Sequence, residues 1–259
     1  MASNPFWVSL QLRPMGDLCD LACKYCHYGL ATERTRMSDE VLHETTRKML
    51  EHNSGGGLFC WHGGEPTLAG LDFFERAVEL QRKYGDQNEI VNQIQTNGSR
   101  ITPRLARFFK ENRFGVGVSL DGPEFIHDFT RVSKRGTGTY ESVVKGIETL
   151  RDAGVKPSVI ATVGRQSLDY PREILHHLID LGLKIIHFSV VFSSIPDQSL
   201  AIGNEEWYGF LREVFHEWVA IGDPEIEIRE LTEIIAWLSK TADPCCTSLG
   251  TCGHWFVVD

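Results

Sequence analysis

Val8, Leu10 and Leu12 alternate with Trp7, Ser9 and Gln11, the period-two pattern of a strand with one buried face. Comparable short runs recur at 58–62, 90–95, 115–120, 158–163 and 185–192. Between them the apolar residues fall at helical spacing. Ser38 caps a segment with Asp39 and Glu40 in its first turn and Val41, Leu42, Met49 and Leu50 on its apolar side, and Ser54-Gly55-Gly56-Gly57 stops it. Phe73, Ala77 and Leu80 mark a second helix, and Thr102-Pro103 opens a third through Leu105, Phe108 and Phe109. Val143, Ile147 and Leu150 follow Thr139 in a fourth, and Ile174, Leu178 and Leu181 mark a fifth. Six strands alternating with helices predict a parallel sheet with right-handed crossovers. Six units fall short of the eight that close a barrel, so the expected fold is α/β, an open, partial (βα)6 barrel. Beyond residue 200 the rhythm breaks into two acidic, tryptophan-bearing helices at 205–221 and 230–240 and a cysteine-rich end. The expected division is a barrel over 1–200 and a second segment over 201–259.

At 259 residues, 42% of them hydrophobic and 24% charged, the chain can bury a sizeable core. No apolar run approaches the roughly 20 residues that span a bilayer, and a net charge of −9 argues against nucleic acid or an anionic membrane as the main partner. The seven cysteines cluster near both ends with Cys60 between them, and the first ten residues lack a basic region followed by an apolar run. This is a pattern of metal chemistry in a reducing, cytoplasmic compartment.

That chemistry concentrates in Cys19-Asp20-Leu21-Ala22-Cys23-Lys24-Tyr25-Cys26-His27, directly after the first strand. Cys19, Cys23 and Cys26 can hold three irons of a [4Fe-4S] cube and leave the fourth open. Alternatively, the three thiolates and His27 bind zinc, or Cys23-Lys24-Tyr25-Cys26-His27 attaches a haem. Adjacent Cys26 and His27 strain a tetrahedral site, and haem attachment needs an exported chain.

The unusual loops all follow strands, where parallel α/β folds gather ligands. Gly63-Gly64-Glu65-Pro66-Thr67 offers close backbone approach and an acid able to accept from an ammonium group. Asn97, in Gln95-Thr96-Asn97-Gly98, can bond a carboxylate or ribose, Ser119 offers a hydroxyl, and Arg131 a planar fork. His127 reads as ordering its loop, and Cys60 as a buried structural thiol. Cys245-Cys246-x5-Cys252 is ambiguous by spacing, and Trp255-Phe256-Val257-Val258-Asp259 reads as a strand cut short, so the natural chain is expected to continue.

The C-x-x-x-C-x-x-C spacing, with Tyr25 beside the last cysteine, resembles the signature of the radical S-adenosylmethionine (SAM) superfamily. The resemblance implies that SAM binds the open iron of a [4Fe-4S] cluster and yields, on reduction, a 5'-deoxyadenosyl radical that abstracts hydrogen from the substrate. The protein then positions, insulates and selects. With 63–70, 95–98 and 119–131 added, nearly the whole chain resembles the anaerobic sulfatase-maturating enzymes. These carry a cysteine-rich C-terminal extension, the SPASM domain, and oxidise a cysteine or serine of a sulfatase to formylglycine.

By matching positions, the resemblance implies Cys19, Cys23 and Cys26 as cluster ligands and Tyr25, Gly64, Ser119, Arg131 and Phe192 as SAM contacts, to which the reading of the strand-end loops adds Gly63, Glu65 and Asn97 as cofactor-binding candidates. Cys246 and Cys252 match the first ligands of an auxiliary [4Fe-4S] cluster that only a longer chain would complete. The family's catalytic aspartate falls on Thr232, which is no base at neutral pH, and this leaves Glu230 or Glu233 as replacements. The implied partners are a sulfatase or precursor peptide and an electron donor such as flavodoxin or ferredoxin. The alternatives are a peptide-crosslinking maturase with the same barrel and a non-catalytic electron carrier.

Overall fold

A computed structural model describes residues 9–26, 28, 36–191, 197–240 and 255–259. Its strands are β1 (Ser9–Leu12), β2 (Gly57–Trp61), β3 (Ile90–Thr96), β4 (Gly115–Ser119), β5 (Ser158–Val163), β6 (Ile185–Val190), β7 (Glu227–Ile228) and β8 (Trp255–Val258). They form one sheet in the order β7-β6-β5-β4-β3-β2-β1-β8, and every pairing is parallel. The sheet does not close, because β7 and β8 end it on opposite sides. The helices are α1 (Asp39–His52), α2 (Leu71–Tyr84), α3 (Pro103–Glu111), α4 (Glu124–Thr130), α5 (Tyr140–Asp152), α6 (Pro171–Asp180), α7 (Asn204–Ile221) and α8 (Arg229–Leu238).

The alternation in the sequence becomes two unlike faces. Leu12, Phe59, Trp61, Ile94, Val118, Val159, Ala161, Val163, Ile186 and Phe188 are buried on the face that joins the common core. Gln95, Ser119, Thr162, His187 and Ser189 point the other way and stay partly exposed. A parallel sheet covered on both faces reads as continuous apolar runs, so alternation here marks one face left open. That open face carries the site.

Under β2 and β3, Trp61 meets Phe73 and Phe74 edge to face at 5.9 and 5.7 Å, a favoured aromatic geometry. Its indole donates to Asn92 Oδ1 at 2.9 Å, and Asn92 exchanges two 2.9 Å bonds with Gln81 of α2. All three side chains are buried, so the polar atoms in this core are satisfied by one another.

The six expected strands are all present, with β1 described from Ser9 and β6 as far as Val190. The strand expected at 255–259 is β8, parallel to β1 with Trp255 beside Ser9. The two-residue β7 and seven-residue α4 were not foreseen, since neither is long enough to show a period. Residues 201–259 supply β7 and β8 to the same sheet as the barrel strands. Among the described residues no helix is long and apolar enough to cross a membrane.

Asn92→Leu is expected to leave the Trp61 indole and the Gln81 amide unpaired in the core, at roughly 1–3 kcal/mol for each orphaned group. A urea midpoint equal to that of the wild type would refute this account of the Trp61 contact.

Candidate active site

The cysteine loop is held from three directions, two of them by backbone bonds. Gly64 N–H donates to Gly16 O and Glu65 N–H to Leu18 O, each at 2.8 Å, while Ala22 N–H reaches Val132 O at 2.8 Å and Lys24 N–H reaches Thr130 O at 3.0 Å. Gly63 has φ +104°, and a Cβ on Gly64 would run into the Leu18 carbonyl. These glycines therefore let the turn after β2 close upon the cysteine loop itself.

Asn97 makes the third tie. Its amide donates to Asp20 Oδ1 at 2.8 Å and reaches 3.7 Å from Cys19 Sγ. Glu65 corrects the sequence reading: fully buried, its carboxylate accepts from Thr67 N at 3.0 Å, Thr67 Oγ1 at 2.6 Å, Thr96 Oγ1 at 2.7 Å and Asn97 N at 2.7 Å. With its oxygens engaged inside, it braces two strand-end turns and offers no exposed acceptor to an ammonium group.

Asp121, at the end of β4, also has no exposure. It receives Arg131 Nε at 3.0 Å, Tyr25 Oη at 2.6 Å, Thr130 Oγ1 at 3.2 Å and Thr162 N at 2.9 Å. Burial pushes the Tyr25 phenol well above its usual range, so it stays protonated and donates. The Arg131 guanidinium lies 5.4 Å from the Tyr25 ring centre, within cation–π range. His127 is as structural as expected: Asp121 N–H donates to its Nδ1 at 3.3 Å, and Nε2 lies 3.1 Å from Thr139 Oγ1.

These elements wall a cavity of about 580 Å³, a size typical of small-ligand sites. Cys19, Cys23 and Cys26 line one side with Gly63 and Gly64, while Ser119, Arg131, Thr162, His187 and Ser189 line the sheet side. Tyr25 and Asn97 also border it. Burial pushes the Cys19 thiol up to about 12 and Cys23 up to about 11. A thiophilic metal is therefore what would make them thiolates. Among the described residues, no three Cys, His, Asp or Glu side chains converge on a single ion. Three thiols on one cavity wall suit the chemistry of a cluster in which each binds a different iron.

The model of the Radical SAM superfamily matches residues 14–178. A serine-type anaerobic sulfatase-maturating enzyme of Bacteroides thetaiotaomicron is 33% identical over 99% of this chain and 68% of its own length. The chain belongs to this family of radical SAM enzymes. A cysteine-type anaerobic sulfatase-maturating enzyme of Clostridium perfringens is 29% identical over 97% of this chain and 72% of its own length. The solved structure of native anSMEcpe with bound AdoMet and Kp18Cys peptide superposes with a TM-score of 0.90 at 30% identity, covering 97% of this chain and 71% of that one. Membership of an enzyme family sets aside the non-catalytic electron carrier.

The two carboxylates considered as bases part company in this radical SAM chain. Glu233 pairs with Arg229 at 2.8 Å in an exposed contact, away from the cavity lining. Glu230 accepts from Phe188 N–H at 3.1 Å and lies 2.5 Å from His187 Nδ1, behind the lining. Thr232 donates to Ile228 O at 2.8 Å within its own helix. Cys60 is half-buried in β2, pushed up to about 11 by burial, and is not part of the cavity wall. His27, Phe192, Cys246 and Cys252 lie outside the described residues.

Sequence reasoning missed Asp121 and His187. Asp121 stands in the same strand-end loop as Ser119, and His187 shares the parity of Ser189 in an otherwise apolar run.

Asp121→Asn strips the buried Arg131 of its counter-charge, and the expected cost is about 3–5 kcal/mol of unfolding free energy. Chemical denaturation reads it, and a loss below 1 kcal/mol would show the pair to be solvated. His127 is lowered to about 4 by burial, against 6.5 for a free imidazole. The unfolded chain therefore takes up a proton that the folded one refuses, so stability is lost as pH falls from 6.5 towards 4. A His127→Gln protein should show a flatter midpoint over that window, and an unchanged slope would remove His127 as the cause.

Proposed function

We propose that this radical SAM enzyme oxidises a cysteine or serine side chain of a peptide segment to formylglycine, maturing a sulfatase. The cavity itself carries the reading: three thiols stand on one wall and a hydroxyl-rich, partly open sheet face stands opposite. Cys19, Cys23 and Cys26 would hold the [4Fe-4S] cluster, and Tyr25, Gly63, Gly64, Asn97, Ser119 and Arg131 would face SAM. Phe192 joins them by resemblance. When bound, the cluster supplies the electron that splits SAM, and the hydrogen-abstracting radical comes from SAM itself.

The protein's share is placement and exclusion of water. Arg131, charged and backed by Asp121, offers a preorganised positive group to a carboxylate without reorganisation at the moment of binding. Glu65 and Asn97 act through the loops: they fix the turns after β2 and β3 against the cysteine loop and so set where SAM meets the thiols. The open sheet face gives a peptide side chain access to the same space.

The reading also includes an auxiliary cluster drawing on Cys246 and Cys252 with ligands from a longer chain. An electron donor of the flavodoxin or ferredoxin kind and a cytoplasmic setting complete it. The charge of −9 and the thiol-rich loop support a reducing compartment and no nucleic-acid or membrane partner.

Cluster-loaded enzyme, given SAM, a reductant and sulfatase peptides carrying the target cysteine or serine, should release 5'-deoxyadenosine and leave an aldehyde detectable by hydrazine labelling and mass spectrometry. An intramolecular peptide crosslink instead of an aldehyde would move the protein to the crosslinking maturases, and absence of 5'-deoxyadenosine would sink the proposal.

A further inference from the structure

An electron bound for the cysteine loop has to come from a carrier outside the cavity, because a space of about 580 Å³ holds a small molecule and no protein. Electron transfer weakens steeply with distance, so the outer surface of that loop is where a carrier comes closest. Leu21, Cys23 and Tyr25 border the cavity, whereas Ala22 and Lys24 are exposed and do not. At Cys23 the thiol wall is therefore one extended segment thick, with solvent on its far side. The segment is fixed there by Ala22 N–H to Val132 O at 2.8 Å and Lys24 N–H to Thr130 O at 3.0 Å.

What surrounds the segment is basic. Lys24 Nζ lies 4.3 Å from the centre of the Phe129 ring, and Phe129 and Phe125 are both exposed on α4. Leu21 pairs with Ser133 in an antiparallel bridge. The turn that starts there, closed by Gly136 N–H to Ser133 O at 2.9 Å, carries Lys134 and Arg135 in solvent. Arg100 lies 3.8 Å from Asp20, the residue after Cys19. The acids of this region are engaged: Asp20 accepts from Asn97 Nδ2 at 2.8 Å and Ser99 Oγ at 3.1 Å, and Asp128 from the N–H groups of Thr139 and Tyr140 at 2.8 and 2.9 Å. Glu124 is exposed at the end of α4 away from Phe129.

The chain as a whole carries −9, so a basic face around the thiols runs against the sign of the molecule and gives a negatively charged partner one favoured orientation of approach. Redox encounters bury little area. Charge therefore does most of the selecting, with Phe125 and Phe129 as a small apolar centre beside the cations. We infer that Lys24, Arg100, Lys134 and Arg135 form the docking surface for a small acidic electron-carrier protein. This rests on the radical SAM reading above and assigns the place where its reductant binds. One electron leaves the reduced carrier, which is thereby oxidised, and enters the cluster held by Cys19, Cys23 and Cys26, which is reduced. No bond forms or breaks.

The test follows the absorbance of cluster-loaded enzyme after anaerobic mixing with reduced flavodoxin of net negative charge, and separately the binding of oxidised flavodoxin. In Lys134→Glu/Arg135→Glu, reduction rate and affinity are both expected to fall by at least about 10-fold at low salt. The gap to the wild type should close at high salt, while dithionite reduces the cluster at the wild-type rate. Lys24→Gln keeps the backbone bond to Thr130 O and should weaken both by a smaller factor, which preserves the decision if the double variant does not fold. Arg107→Glu/Lys110→Glu makes the same change of charge at exposed positions of α3 and should leave both near the wild type. Wild-type binding and reduction in Lys134→Glu/Arg135→Glu would overturn the assignment. Equal losses in the α3 variant would do the same, since net charge would then be the cause, and so would slowed reduction by dithionite, which marks damage to the loop. An enzyme that cleaves no SAM would refute the functional reading instead, while the binding of oxidised flavodoxin still decides the docking surface.

Discussion

A carboxylate sealed from water needs its full complement of donors, and Asp121 obtains four of them from three separate segments. Arg131 brings the segment after α4, Thr162 the backbone of β5, and Tyr25 the cysteine loop. A buried ion pair adds little net stability, yet it penalises strongly any arrangement that leaves either partner alone. Its role here is specification: the loop with the thiols, the neighbouring strands and the arginine at the cavity wall cannot shift independently without stranding a charge. Glu65 applies the same constraint at the other side, tying the turns after β2 and β3.

The sheet was legible because its strands alternate, and the alternation carried more than strand positions. Apolar parity on Leu12, Phe59, Trp61 and Ile186 names the face under the helices, and the opposite parity on Ser119, Thr162 and Ser189 names the cavity wall. The thiol loop and the strand-end motifs were equally visible, since unusual residue types cluster there. What could not be read was direction. Glu65 looks like a ligand for a cation in one dimension, but four donors from its own and neighbouring turns enclose it in three.

The two candidate bases could not be told apart in the sequence for a related reason. Glu230 and Glu233 sit three residues apart on one short helix, and only tertiary packing decides that one reaches β6 while the other pairs in solvent with Arg229. His187 carried a signal, a polar residue on the inward parity of the sixth strand, that is easily lost in the run Ile185-Ile186-His187-Phe188. β7 and α4 carried none, because two and seven residues set no period.

The backbone ties of the cysteine loop join residues far apart in sequence: Gly16 to Gly64, Ala22 to Val132 and Lys24 to Thr130. Contacts of that separation form late and slowly, after the loops between them have paid their closure entropy. The spacing of the thiols thus depends on segments as distant in sequence as the turn after β2 and the residues after α4. In small zinc domains metal binding and folding are one event. Here the contacts that space the thiols are made by the polypeptide itself, so iron and sulfide would meet a cradle that the fold draws together from distant segments.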